Sequence, residues 1–255
     1  ANASYARDKV LILDENPEIQ GTWRSQIGKP GSIVWGYHSL GVIKDQATLD
    51  ALPDGFTQFG RTPEIGDLLL KDIRGVGYSE GTDGKVDGYD NDILSRNGSP
   101  RIVYGFTLGG TIKGFSLDAH FSGVGAFDKY YGQAWGAGSI NRNARVLMER
   151  WHPILNPNGW APAYRDNYWD MPERGHGPTS TFLFNASYLR LKNLVLGYDL
   201  PRKWINATTI NGFRVYISAT DLFVLSKWFF GDPETASASS YPRMKTLSCG
   251  VNINF

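Results

Sequence analysis

Apolar and polar residues alternate along this sequence with a period of two, a habit that fits extended strands and excludes a helical fold. In RIVYGFTLGG (101–110), Ile102, Tyr104, Phe106 and Leu108 fall on one side of an extended chain, and Val103, Gly105, Thr107 and Gly109 on the other. A tight Lys113-Gly114 turn follows, then FSLDAHFSG sets Phe115, Leu117, Ala119 and Phe121 against Ser116, Asp118, His120 and Ser122. A second hairpin is readable downstream. YLRLKNLVLGYDL, about 188–200, puts Leu194, Leu196, Tyr198 and Leu200 on one face and turns through Pro201-Arg202-Lys203. FRVYISATDLF, about 213–223, returns with Phe213, Val215, Ile217 and Ala219 opposed to Arg214, Tyr216, Ser218 and Thr220. The chain closes on TLSCGVNINF, where Leu247, Cys249, Val251, Ile253 and Phe255 alternate with Thr246, Ser248, Gly250, Asn252 and Asn254. Residues 2–12 make a sixth, less regular strand. The fold class is all-β and antiparallel.

Alternation alone leaves two inversions of the same pattern. A β-sandwich buries its apolar faces, whereas a membrane barrel turns them outward and keeps a polar lumen. The connections separate the two. Two are short (112–114 and about 201–212) and three are long (about 13–100, 126–185 and 226–243). In an antiparallel meander every short turn falls at one end and every long loop at the other. Outer-membrane barrels have this asymmetry, with short periplasmic turns and long extracellular loops, and sandwiches have no reason for it. Strands of about ten residues also suffice to cross a bilayer when tilted. Six strands do not close a barrel, and an open edge in lipid leaves backbone groups unpaired. The sequence therefore reads as one part of a larger barrel. The alternative is a secreted carbohydrate-binding β-sandwich.

Composition agrees with strands and turns: 30 Gly, 8 Trp and 13 Tyr in 255 residues. The 26 Lys+Arg balance 25 Asp+Glu, so no polyanion-binding surface is implied and a nucleic-acid partner is disfavoured. The single cysteine, Cys249, excludes an internal disulfide framework and a Cys-based zinc site. No apolar run of about 18 residues exists, so no transmembrane helix is expected, although barrel strands escape such a scan. The N-terminal ANASYARDKV begins in mid-pattern with no signal peptide. Enzyme signatures are lacking. His38, His120, His152 and His176 sit in unrelated contexts, and HExxH does not occur. GYSEG (77–81) has the G-x-S-x-G spacing but lies in a Gly- and Asp-rich loop rather than in a strand-turn-helix nucleophile elbow.

ASYLRLKNLVLGYDLP (186–201), FRVYISATDLFVLSKW (213–228) and the closing YPRMKTLSCGVNINF (241–255) resemble the end of SusC-type (SusC/RagA family) TonB-dependent transporters, outer-membrane importers of Bacteroidetes. SPRIVYGFTLGGTIKGFSLDAHFSGVGAFDKY (99–130), RWHPILNPN (150–158) and GSIVWGYHSLGVI (31–43) resemble earlier segments of the same family, in the family's order. The resemblance implies the last six or so strands of a 22-stranded plugged barrel, with residues 1–255 all barrel and the plug domain absent. It also implies a SusD-like surface lipoprotein as lid and oligosaccharide or peptide cargo. Coupling to TonB-ExbB-ExbD would run through the plug, with lipid and LPS around the wall. Phe255 matches the terminal aromatic that barrel-assembly machinery reads.

Two further groups are candidate sites. Trp135, Trp151, Trp160, Tyr164, Tyr168 and Trp169 cluster in the loop 126–185, where aromatics suit contact with cargo or lid, or packing within the loop. Trp204, after the short turn, suits an interfacial aromatic belt. Asp72, Asp83, Asp87, Asp90 and Asp92 lie among glycines in 72–92. Such a loop can wrap Ca2+ or Mg2+ with oxygens, but the twelve-residue EF-hand spacing is missing and a solvated acidic turn is the favoured reading. No cofactor is required.

Overall fold

The structure is a computed structural model that describes residues 1–131, 148–162, 178–205, 210–228, 230–235, 241 and 243–255. These form two compact units, one built from residues 1–6, 100–127 and 185–255, the other from 7–99 and 128–184.

The first unit is a single antiparallel sheet. Its strands are β1 (Asn2–Tyr5), β2 (Ile102–Ile112), β3 (Phe115–Gly125), β4 (Tyr188–Asp199), β5 (Gly212–Ser226) and β6 (Thr246–Asn254). Their order in the sheet is their order in the chain, and β1 and β6 are its two open edges. The β2–β3 hairpin closes through Lys113 and Gly114, whose φ angles of 49° and 85° are both positive. Two left-handed residues in succession define the type I′ turn, whose twist matches that of the flanking strands. The longer turn from β4 to β5 carries one helical turn, Arg202–Ile205.

Register places the apolar residues in rows across the sheet. Ile112, Phe115, Tyr198, Val215 and Val251 form one; Gly110, Leu117, Leu196, Ile217 and Cys249 the next; Leu108, Ala119, Leu194, Ala219 and Leu247 a third. Beyond the third row the β4–β5 register shifts between Leu191 and Asn193. Lys192 is bulged out of β4, and Asp221, with a left-handed φ of 51°, and Leu222 are bulged out of β5. The bulge matters because Leu189 and Leu191 are odd-numbered whereas Leu194 and Leu196 are even. One extra residue keeps all four on the same face. This apolar face is open: Leu117 is 44% exposed, Leu196 46%, Ile217 50% and Leu247 74%. A soluble monomer rarely leaves such a contiguous surface uncovered.

The first strand is shorter than its sequence suggests. Only Asn2–Tyr5 pair with β2, and Ala6 N–H donates the last bond, to Arg101 O. The charged run Arg7-Asp8-Lys9 then breaks the alternation, and Val10 exchanges backbone bonds with Gly28 and Lys29 instead.

The second unit has its own core of Tyr37, Ile43, Phe56, Leu68, Leu69, Leu70 and Val86. Strand pairs are short here: Ser39–Val42 with Leu68–Leu70, Val34–Gly36 with Asp92–Ser95, and Thr57–Gln58 parallel to Lys85–Val86. Buried Gln58 substitutes for missing ladder bonds, its amide donating to Leu68 O (3.1 Å) and its carbonyl accepting from Leu70 N–H (2.6 Å). The two chain segments are joined at Tyr37, whose N–H donates to Pro178 O (2.8 Å) and whose C=O accepts from Ser180 N–H (3.0 Å). The join requires Gly36: a Cβ there would lie 2.0 Å from Pro178 O.

Candidate functional site

The opposite face of the sheet is polar. Thr107, His120, Asn193, Thr220 and Thr246 form one cross-strand row, and Gly109, Asp118, Val195, Ser218 and Ser248 its neighbour. His120 Nδ1 and Thr107 Oγ1 lie 3.0 Å apart in a hydrogen bond, and both residues are exposed. Gly197 leaves room for Arg214 to cross β4 and donate to Ser116 Oγ (2.8 Å).

Near the end of the sheet that bears the long connections, the same face carries a six-membered ion cluster. Arg190 on β4 is only 3% exposed, and its Nη2 lies 2.6 Å from both carboxylate oxygens of Asp232. Its Nη1 faces Asp221 at 3.7 Å and its Nε faces Glu234 at 3.6 Å. Lys192 reaches Glu234 (2.8 Å) and Asp221 (3.8 Å). Arg243 reaches the same two, at 2.7 Å and 3.7 Å. Burial opposes ionisation of Glu234, but hydrogen bonds from Lys192 and Tyr188, with the Lys192 and Arg190 charges, hold its carboxyl below the ordinary glutamate value. Three cations and three carboxylates neutralise each other, as buried charges must. The bulge supplies Lys192 and Asp221, the strand supplies Arg190, and the β5–β6 connection supplies the rest. The cluster thus fastens that connection to the polar face. Sequence reasoning overlooked it; the odd-to-even slip of leucines at Lys192 is the signal that would have revealed the bulge.

Four of the five aspartates of 72–92 are spent on the backbone, and the fifth, Asp92, faces side chains. Asp90 is fully buried: Oδ1 accepts from Ile73 and Arg74 N–H, and Oδ2 from Asp87 N–H. Asp87 and Asp90 cap the 3-10 turn Gly88–Asp90 reciprocally. Asp72 accepts from Gly84 N–H (2.8 Å) and Asp83 from Lys85 N–H (3.0 Å). Asp92 faces Arg74 (3.4 Å) and His38 (3.6 Å). Burial, with a contribution from nearby Asp90, pushes the Asp72 carboxyl above its ordinary value. Among the described residues no three His, Cys, Asp or Glu side chains converge to hold an ion, so this set does not fit a cation site.

Of the aromatic candidates, Trp151 is buried, and Trp160 stands edge-on to Phe182 and Phe184 at centroid separations of 5.9 and 5.7 Å. Both side chains therefore pack within their own unit. Trp135, Tyr164, Tyr168 and Trp169 lie outside the described residues. Trp204 is largely exposed at the short-turn end of the sheet, and Phe255 is exposed just past β6. No described helix is long and apolar enough to cross a membrane.

A sheet with an open apolar face, a polar face and all long connections at one end defines the class: a sector of a transmembrane β-barrel wall. Comparison with known proteins narrows it. The chain is 24% identical to TonB-dependent receptor P3 of Formosa agariphila, with 96% of this chain and 24% of the relative matched. It is 38% identical over 78 residues to TonB-dependent receptor SusC of Bacteroides thetaiotaomicron, matching 29% of this chain and 8% of SusC. Among solved structures, the RagAB peptide importer in its closed-closed state superposes with a TM-score of 0.56 at 22% identity, over 91% of this chain and 24% of that one. A structure of the RagAB peptide transporter gives 0.55 at 24% identity, over 91% and 23%. No family model matches the sequence. Over nearly its whole length the chain is similar to part of TonB-dependent receptors, over a shorter stretch to SusC, and it shares its fold with part of the RagAB importer. It spans about a quarter of the length of TonB-dependent receptor P3 and of a second Formosa agariphila relative, TonB-dependent receptor P26.

Proposed function

We propose that this chain forms wall, extracellular loops and part of the cargo cavity of an outer-membrane importer. In this reading the importer works with a SusD-like surface lipoprotein and draws energy from TonB-ExbB-ExbD through a plug domain. The observation that carries the reading is the two-faced meander. Its apolar rows are open to their surroundings, its opposite face is polar, and all three long connections leave one end. Cargo is an oligosaccharide. A peptide is the second reading, supported by the fold shared with the RagAB peptide importer. Phe255, exposed beyond β6, serves as the signal read during barrel assembly.

Paired substitutions on β3 test the wall. Leu117→Arg places a charge among lipid and should cost about 2–4 kcal/mol and lower the folded protein in the outer membrane. Asp118→Arg, on the other face of the same strand, should leave folded levels near wild type, read by heat-modifiable migration on gels. Equal damage, or recovery of folded protein without detergent, would remove the barrel reading. Cargo is tested by uptake of labelled oligosaccharides against labelled peptides in cells that carry or lack the transporter.

A further inference from the structure

The apolar face is not uniform. Beside the two short turns it holds a groove of about 630 Å³ with an almost wholly apolar lining, walled by Ile112, Phe115, Leu117, Leu196, Ile217 and Val251. Gly110 lies in the groove, where a Cβ would meet nothing within 4 Å, and Cys249 borders it. The turns that bound the face are basic. Lys113 sits between Ile112 and Phe115, and Arg202 and Lys203 open the helical turn after β4. All three are exposed, and none makes an ion pair among the described residues. The neighbouring carboxylate, Asp199, stands opposite Arg214 in register and so belongs to the polar face. Exposed Trp204 adds an indole of the kind that settles at a membrane interface.

We propose that this groove is a binding site for an anionic glycerophospholipid. One acyl chain lies along Gly110 and Leu196, and the headgroup phosphate sits at Lys113, Arg202 and Lys203. The lining offers almost no polar partner, so a sugar or peptide would lose its hydrogen bonds there, whereas an acyl chain loses nothing. The cations lie at the short-turn end, which in an outer-membrane barrel faces the periplasm and the phospholipid leaflet. That position selects phospholipid over lipopolysaccharide. The site rests on the outer-membrane reading above.

Cys249 supplies the probe. The intact transporter, with any other cysteines replaced, is labelled at Cys249 with bimane and reconstituted in phosphatidylcholine containing spin-labelled lipids as quenchers. Spin-labelled phosphatidylglycerol should associate roughly fivefold or more above spin-labelled phosphatidylcholine, since each surface cation near an anionic headgroup contributes about that factor. The triple variant Lys113→Asn, Arg202→Gln, Lys203→Gln should bring the ratio to about one. Gly110→Phe should reduce quenching by phosphatidylglycerol while both variants keep wild-type heat-modifiability. Equal quenching by both lipids in the wild type reveals ordinary annular lipid and overturns the site. Competition by lipopolysaccharide stronger than by phosphatidylglycerol also overturns it. Absence of quenching by any lipid would instead overturn the membrane placement itself.

Discussion

Replacing Arg190 by Met is the sharpest test of the ion cluster, because it removes one charge and almost no volume. Wild-type Arg190 is buried, with Asp232 at 2.6 Å and Asp221 and Glu234 within 3.7 Å. The variant leaves three carboxylates facing only Lys192 and Arg243. Breaking one side of a buried pair costs about 3–5 kcal/mol. The two remaining cations are partly exposed, which places the expected loss near the lower bound, about 3 kcal/mol. Since the β5–β6 connection supplies Asp232, Glu234 and Arg243, that loss should appear as its release from the sheet. Trypsin on intact cells reads this directly at Lys227 and Arg243. A shift of about 3 kcal/mol in the opening equilibrium corresponds to roughly a hundredfold faster cleavage when closing outpaces proteolysis. Arg190→Met combined with Asp232→Leu should recover much of the protection, because charge balance is restored. If Arg190→Met cleaves at the wild-type rate, the cluster does not hold the connection. If the double variant is as labile as the single, packing rather than charge explains the effect.

Other consequences follow from the same contacts. Glu234 is held below its ordinary value, so its stabilisation is full above about pH 4.5 and is lost as pH falls through the lowered folded value. Tryptic protection of the connection's basic sites should accordingly stay flat from pH 8 to 5; with a protease active in acid, protection should fall only below that range, and a fall near pH 6 would contradict the assignment. Asp72→Asn keeps an acceptor for Gly84 N–H and removes a charge that burial penalises. Its melting temperature should match or exceed wild type, with no shift on adding calcium or EDTA; calcium-dependent stabilisation lost in the variant would restore the cation reading. Deleting Phe255 should lower the amount of assembled protein in the outer membrane by several-fold without altering the melting of what does assemble. Unchanged levels by quantitative blotting would leave Phe255 an ordinary strand end.

Much of the sheet was legible in the sequence because one rule governs it. Five of the strands alternate strictly over most of their length, and register then follows from the two short turns. Legibility failed where a second rule intervened. Residues 7–12 leave the ladder because Arg7, Asp8 and Lys9 break alternation, and Asp8 and the Val10 backbone bond instead to Gly31, Gly28 and Lys29. The β4–β5 bulge is invisible to any fixed period, and with it the site at Arg190: sequence places Asp232, Glu234 and Arg243 in a long loop, and only folding brings them back to β4. The aspartates of 72–92 mislead for a related reason. Composition counts carboxylates but not backbone N–H groups, and here the N–H groups claim the oxygens first.

Strand order that copies chain order has a consequence for how such a wall can arise. Each strand after the first meets its partner immediately before it in sequence, apart from the inserted second unit, so the sheet can lengthen one hairpin at a time at a growing edge. No late strand must be threaded between two earlier ones. The same property makes the long connections interchangeable parts, since their ends are anchored by neighbouring strands that pair without them. A lineage could therefore rewrite everything between β3 and β4 and leave the apolar rows of the sheet as they stand.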